Sequence, residues 1–207
     1  IPRSELSIRS ILTHNMIPNI LTIIDEAKEL GVRVLFGPIT LPQGSEMNLN
    51  ENDYNVYIDI ISKVLEESWD SEKIDQVTGI TSIANIVLQL MTGNQRYYSC
   101  GLGTDQVGVS STGKIYPCHR FIGLKGLCMG DVFNGIDKEK YKSFALRFVD
   151  NLTPCSECWA KYFCGGGCAH ESYTYNNNLF VPFSERCELT KKEIEIEYGI
   201  EVSGNVY

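Results

Sequence analysis

Aliphatic runs and helical repeats alternate along the first 95 residues. Short aliphatic runs at 6–13 and 32–39 predict two buried strands. Between them, apolar residues recur at helical spacing over 16–27, with Asn15 as the N-cap and Gly31 as the C-terminal stop. This strand–helix–strand order is typical of a parallel crossover.

Two more helices are predicted before the pattern changes. Residues 51–68 carry an apolar face at helical spacing. A charged connector at 70–75 precedes a third helix, which Thr81 or Ser82 would cap and Gly93 would end. The core positions of this third helix are Ile83, Val87, Leu90 and Met91. Two parallel strands leave both edges of their sheet unpaired, so we expect further strands in an upstream half of the protein. The alternative is a small α/β domain that covers its own sheet edges.

The second half has few periodic segments. Alternation over 106–116 around a turn at Gly113 predicts a β-hairpin, and Pro117 marks an edge at its end because proline has no amide donor. Loops are predicted from there to Cys168, and helical spacing returns over 184–198. A core this poor in regular elements needs disulfides or a bound metal.

Composition and charge narrow the class of protein. The 207 residues are 43% hydrophobic and 21% charged, which is ordinary for a globular protein. A net charge of −8 argues against nucleic acid as a partner, because a nucleic-acid binder carries a basic stripe. No apolar run reaches the roughly 18 residues that a membrane-spanning helix needs. Without a visible secretory signal, we expect a reducing, cytoplasmic location and no membrane partner.

All the cysteines, eight in number, lie beyond residue 99, and this asymmetry predicts two domains, 1–95 and 96–207. The densest run is Cys155-x2-Cys158-x5-Cys164-x3-Cys168, with three glycines between the last two thiols. Zinc ions, disulfides and iron–sulfur clusters each remain possible as the cross-links that stabilise this half of the chain. Zinc ribbons favour two C-x2-C pairs, of which this run has one, whereas two sets of four thiols suit two [4Fe–4S] clusters. Glycines would let the backbone pass a bulky cluster and donate amides to its sulfides.

The complete spacing is more specific. Cys100, Gly113-x4-Cys118, the run from Cys155 to Cys168, and Cys187 resemble, in order, the seven-cysteine signature of SPASM domains. These domains are C-terminal extensions of radical S-adenosylmethionine (SAM) enzymes that modify peptides and proteins. The implied fold class is α/β: residues 1–95 would be terminal strand–helix units of a partial (β/α) barrel. Residues 96–207 would be a small cluster-binding domain with a β-hairpin, loops and a C-terminal helix.

The resemblance implies ligands for two auxiliary [4Fe–4S] clusters. It assigns the second cluster to Cys155, Cys158, Cys164 and Cys187, and the first to Cys100, Cys118 and Cys168. Cys128 is the candidate for the fourth ligand of the first cluster. In some relatives that iron is instead left open for a substrate thiolate.

The C-x3-C-x2-C motif, which holds the SAM-cleaving cluster in this family, is absent from the sequence. We therefore expect the chain alone to be inactive, and SAM and a third [4Fe–4S] cluster to belong to a full-length enzyme whose N-terminal half is missing here. Thr13 and Asn15 follow the first predicted strand and would lie near SAM if the barrel alignment holds. For His14 between them, the expected role is an ordinary surface histidine.

The resemblance implies a reaction through one position that differs from the sulfatase-maturing members and one region that is similar to thioether-forming members. Sulfatase-maturing members of the family carry an Asp where this chain has His119, which argues against formylglycine formation. The sequence around Cys118 is more similar to maturases that form thioether bonds in ribosomally made, cysteine-rich peptides. The implied partners are a precursor peptide and an electron donor such as a ferredoxin or flavodoxin. Arg120 and His170 would make ordinary hydrogen bonds or tune a cluster. The alternatives are a non-catalytic two-cluster module for electron transfer or binding, and a zinc-stapled interaction domain.

Overall fold

A computed structural model describes residues 6–69, 85–86, 88–89 and 92–198. The chain divides into two compact units, Ile1–Asn94 with Cys187–Tyr207, and Gln95–Arg186. The predicted domain ranges, 1–95 and 96–207, stay a prediction. Several predicted features lie outside the described residues: the connector 70–75, the caps Thr81 and Ser82, and the core positions Ile83, Val87, Leu90 and Met91.

The first unit contains the predicted parallel crossover. Strand β1 (Ser7–Leu12) and strand β2 (Arg33–Pro38) pair in parallel, and helix α1 (Ile20–Leu30) connects them. The helix predicted at 51–68 is α2 (Glu51–Trp69). The helix predicted at 184–198 is α6 (Ser184–Tyr198). All five of these predicted elements are therefore confirmed.

Asn15 is not the N-cap of α1, so that prediction is wrong. A 3-10 segment, His14–Asn19, precedes the helix and contains Pro18. Inside an α-helix proline removes a hydrogen bond and clashes with the preceding turn, and accordingly the α-helix begins only at Ile20. Gly31 ends it as predicted, with φ of +67°.

The core of the first unit takes side chains from both strands and from three helices. Its buried apolar side chains come from β1, β2, α1, α2 and α6: Leu12, Val34, Phe36, Ile20, Ile24, Tyr57, Ile61 and Leu189. In contrast, Leu6, Ile8 and Ile11 in and beside β1 remain 40–44% exposed. The apolar residues of this strand are therefore only partly covered.

The second unit is built on a small antiparallel sheet. The predicted hairpin is confirmed as β3 (Gly108–Val109) and β4 (Lys114–Tyr116). Two further strands, β5 (Gly130–Asp131) and β6 (Gly135–Ile136), give the order β3-β4-β5-β6. The edge predicted beside Pro117 is therefore wrong, because β4 has a partner on both sides.

Three short helices follow this sheet. They are α3 (Lys138–Ala145), α4 (Lys161–Cys164) and α5 (Ala169–Asn176). The first two lie before Cys168, in the region where loops were predicted, and that prediction is wrong for their residues. The Asp137 side chain caps α3 by accepting hydrogen bonds from two backbone amides. The core beneath these elements includes Phe121 and Met129, both at most 1% exposed. None of the described helices is long and apolar enough to span a bilayer.

Candidate metal centre

Each of the eight cysteines lies within the described residues, and none of the eight forms a disulfide bond. Seven of them belong to the second unit, and Cys187 belongs to the first. Their exposure ranges from buried Cys155 to exposed Cys100. All eight are therefore chemically available as thiolate ligands.

One group of thiols forms around Cys118, which follows β4. Burial raises the pKa of Cys118; hydrogen bonds from the amides of Arg120 and Phe121 lower it, and the nearby thiols of Cys168 and Cys100 raise it further. Three thiols from distant parts of the sequence thus lie close enough to interact as charges. The Ser99 hydroxyl donates to the Gly167 carbonyl at 2.7 Å and links the segments that carry Cys100 and Cys168.

A second group lies at the other end of the cysteine-rich run. Cys155 begins a short 3-10 turn, and Cys164 ends α4. Burial raises the pKa of Cys164; the amides of Gly166 and Gly167 donate to its sulfur and lower it, while the Cys158 thiol raises it. Backbone amides directed at a cysteine sulfur are typical of iron–sulfur ligation.

The glycines between Cys164 and Cys168 have a packing role that was not predicted. Gly165 has φ of +70°, and a Cβ there would lie 2.7 Å from the Ser99 nitrogen and from the Tyr98 carbonyl carbon. At Gly166 a Cβ would lie 2.4 Å from Leu152 Cδ1. The run therefore lets the backbone beside Cys164 approach the backbone before Cys100.

The two remaining cysteines are placed differently. The Cys128 thiol donates to the Gly130 carbonyl at 3.3 Å and packs, like Cys118, against the core of the second unit. The groups that shift the pKa of Cys118 most do not include Cys128. Cys187 lies in the first turn of α6 and is partly buried.

Two basic residues flank the first group of thiols. The Arg120 guanidinium donates to Cys168 Sγ at 3.5 Å, so it contacts one of the predicted cluster ligands. Burial and the nearby charge of Arg120 lower the pKa of His170 to about 4, so its ring is neutral at pH 7. The His119 side chain is exposed.

The neutral His170 predicts a pH dependence of stability. An unfolded histidine binds a proton below about pH 6.5, but folded His170 binds one only below about pH 4. The free energy of unfolding of the metal-free chain should therefore decrease as the pH falls from 6.5 to 4. We expect about 1–2 kcal/mol for this partly exposed ring, measured by urea unfolding. His170→Gln should lack this loss; an equal loss in the variant would contradict the assignment.

The chemistry of the donor set suits iron–sulfur clusters, which bind through cysteine thiolates. Within the described ranges, no three His, Cys, Asp or Glu side chains converge as a single-ion site requires. The four thiolates of a [4Fe–4S] cluster each bind a different iron, so they need not converge on one point. Two groups of thiols, with amides and a guanidinium directed at sulfur, meet that requirement.

The carboxyl end of β1 carries a polar pair that was not predicted. His14 Nδ1 lies 2.9 Å from Asp53 Oδ2, and the Asp53 side chain is only 5% exposed. Asp53 also accepts the Asn50 amide at 2.9 Å, at the start of α2. His14 is thus a surface residue, as expected, and its ring is also anchored by a buried carboxylate. Thr13 is buried and Asn15 is exposed beside it.

Solved structures share the fold of this chain at low sequence identity. A histidine-tagged anSMEcpe with bound AdoMet matches 97% of this chain, with a TM-score of 0.71 and 19% identity. A native anSMEcpe with bound AdoMet and Kp18Cys peptide matches 93%, with a TM-score of 0.66 and 17% identity. The matched part is 55% of the anSMEcpe chain in both. This likeness confirms the predicted α/β fold.

Comparison of sequences adds one curated relative. A protein of Archaeoglobus fulgidus, described as an uncharacterized protein, is 29% identical over 74% of this chain and 38% of its own length. No family model matches the chain. The chain therefore spans 38–55% of the length of these proteins.

Proposed function

We propose that this chain is the auxiliary iron–sulfur half of a radical SAM maturase that modifies a ribosomally synthesised peptide. The observation that carries the proposal is the grouping of thiols. Cys118 interacts with Cys100 and Cys168, whereas Cys164 interacts with Cys158. This grouping follows the two ligand sets that the SPASM resemblance implies, and two separate sets are what two clusters need.

In this proposal every cysteine is a ligand. The first cluster would be held by Cys100, Cys118, Cys128 and Cys168, and the second by Cys155, Cys158, Cys164 and Cys187. When bound, such clusters supply one-electron transfer at potentials that depend on nearby charges and hydrogen bonds. Arg120 favours the thiolate form of Cys168 by donating a hydrogen bond to its sulfur.

The missing N-terminal half would complete the enzyme. Its strands would cover Leu6, Ile8 and Ile11 beside β1, which are 40–44% exposed. It would also supply the C-x3-C-x2-C motif for the third cluster and for SAM, with Thr13 and Asn15 contributing from the carboxyl end of β1. The anSMEcpe structures were solved with AdoMet bound, in agreement with such a site.

The reaction we propose is thioether formation within the substrate peptide. The acceptor carbon loses a hydrogen atom to the SAM-derived radical, and the cysteine thiol loses a proton as the carbon–sulfur bond forms. One electron would remain and leave through the auxiliary clusters. An electron donor such as a ferredoxin or flavodoxin would supply the electron that the cleavage of SAM requires. His119, in place of an Asp base, favours this reaction over formylglycine formation. A peptide substrate also agrees with the anSMEcpe structure that contains the Kp18Cys peptide.

Metal analysis tests the proposal directly. After anaerobic reconstitution with iron and sulfide, the chain should contain about eight iron and about eight sulfide, as two [4Fe–4S] clusters require. The protein should be brown and have the absorbance of iron–sulfur clusters. A colourless protein with stoichiometric zinc would overturn the proposal in favour of an interaction domain.

Mass spectrometry of the peptide product tests the reaction. With the full-length enzyme, a thioether product should lose two hydrogens, keep its sulfur and resist thiol alkylation. Loss of the sulfur as an aldehyde forms would indicate formylglycine instead.

Cys128→Ala in a Cys158→Ala background, where only the first cluster remains, should lose the remaining iron if Cys128 is a ligand.

A further inference from the structure

A buried arginine lies between the two groups of thiols. Arg147 follows α3, and only 4% of its surface is exposed. Burying a guanidinium is costly unless its charge is compensated, because the protein interior solvates ions poorly. The sequence does not single this residue out.

The hydrogen bonds of Arg147 are made to uncharged groups. Its guanidinium donates to the carbonyls of Gly166 at 3.2 Å, Gly167 at 3.3 Å and Leu179 at 2.7 Å, and to the Ser172 hydroxyl at 3.5 Å. Among the described residues, no Asp or Glu forms an ion pair with it. In contrast, Arg186 of the same unit pairs with Glu171 at 2.9 Å.

The Gly166 and Gly167 carbonyls that accept from Arg147 lie between Cys164 and Cys168, so its charge is placed beside thiols. Burial lowers the pKa of Arg147, and Cys168, Cys100, Cys155 and Cys164 each oppose that shift. Two of these cysteines belong to the proposed first cluster and two to the second. A [4Fe–4S] cluster with four thiolate ligands carries net negative charge, so both sites would place anions around this cation.

We propose that Arg147 is the positioning residue shared by both clusters, a fixed buried charge that compensates their anionic ligands and holds the glycine carbonyls between Cys164 and Cys168. This inference rests on the proposed two-cluster function. Because a nearby cation favours the more negative, reduced form, Arg147 raises the reduction potential of each cluster. Arg120 donates to Cys168 alone and acts on the first cluster only.

The test is a redox titration of the reconstituted 207-residue chain, followed by electron paramagnetic resonance. Each cluster is measured by itself, the first in a Cys158→Ala background and the second in a Cys168→Ala background. Arg147→Gln should lower both potentials by about 59 mV, a tenfold change in a one-electron equilibrium. Arg120→Gln should lower only the first. The control Arg33→Gln, at an exposed position of β2, should change neither.

A second variant separates charge from folding. Arg147→Lys keeps the charge but not the planar fork of donors, so both potentials should stay near the wild-type values. If Arg147→Lys lowers the potentials as much as Arg147→Gln, or if Arg147→Gln shifts one cluster or neither, the inference is overturned. If the wild-type chain binds no iron, the proposed function itself fails; iron in the wild type with unchanged potentials overturns only the role of Arg147.

Discussion

Replacing Cys168 with alanine should halve the iron content of the reconstituted chain, from about eight to about four per molecule. Cys168 lies in the same dense run as Cys155, Cys158 and Cys164, yet the thiol of Cys118 interacts with Cys168 and Cys100. Removing Cys168 should therefore abolish the first cluster and leave the second. Iron and sulfide analysis measures the loss, and Mössbauer spectroscopy identifies the cluster that remains.

The reciprocal variant is the control. Cys158→Ala should abolish the second cluster and leave the first, because Cys158 interacts with Cys164. The double variant should then contain no cluster. If the double variant keeps as much iron as Cys168→Ala alone, the two cysteines serve the same cluster and the assignment is wrong.

The long elements of this fold could be predicted because their periodicity is local. The crossover of β1, α1 and β2 and the helix α6 extend over enough residues for apolar spacing to be recognised. Strands β5 and β6 have two residues each, which is too short for any alternation. They form because β5 pairs with β4 and β6 pairs with β5, and that information is tertiary.

For the candidate metal centre, the sequence indicates the cysteines but not the residues that contact the segments around them. The count of eight thiols suits two clusters, and only the resemblance to SPASM domains implies which cysteines form each ligand set. Arg147 gave no signal because its role depends on thiols far away in the sequence. The pairing of His14 with Asp53 was hidden in the same way, since Asp53 reads only as a residue in the first turn of α2.

Gly165→Ala should destabilise the second unit by about 3 kcal/mol, a large effect for the addition of one methyl group. The residue has φ of +70°, which an L-residue adopts only with strain. Its Cβ would also lie 2.7 Å from backbone atoms of Tyr98 and Ser99, which cannot rotate away as a side chain would. Urea unfolding of the reconstituted chain, followed by the loss of cluster absorbance, measures the change.

The matched control lies two residues along the chain. Gly167 has nearly the same φ, +66°, but a Cβ there would have no neighbour within 4 Å among the described residues. Gly167→Ala should therefore cost only the left-handed strain, about 1 kcal/mol. The difference between the two variants isolates the contact between the glycine run and the segment before Cys100. Equal losses would mean that strain alone explains the glycines, and that the two backbones are free to separate.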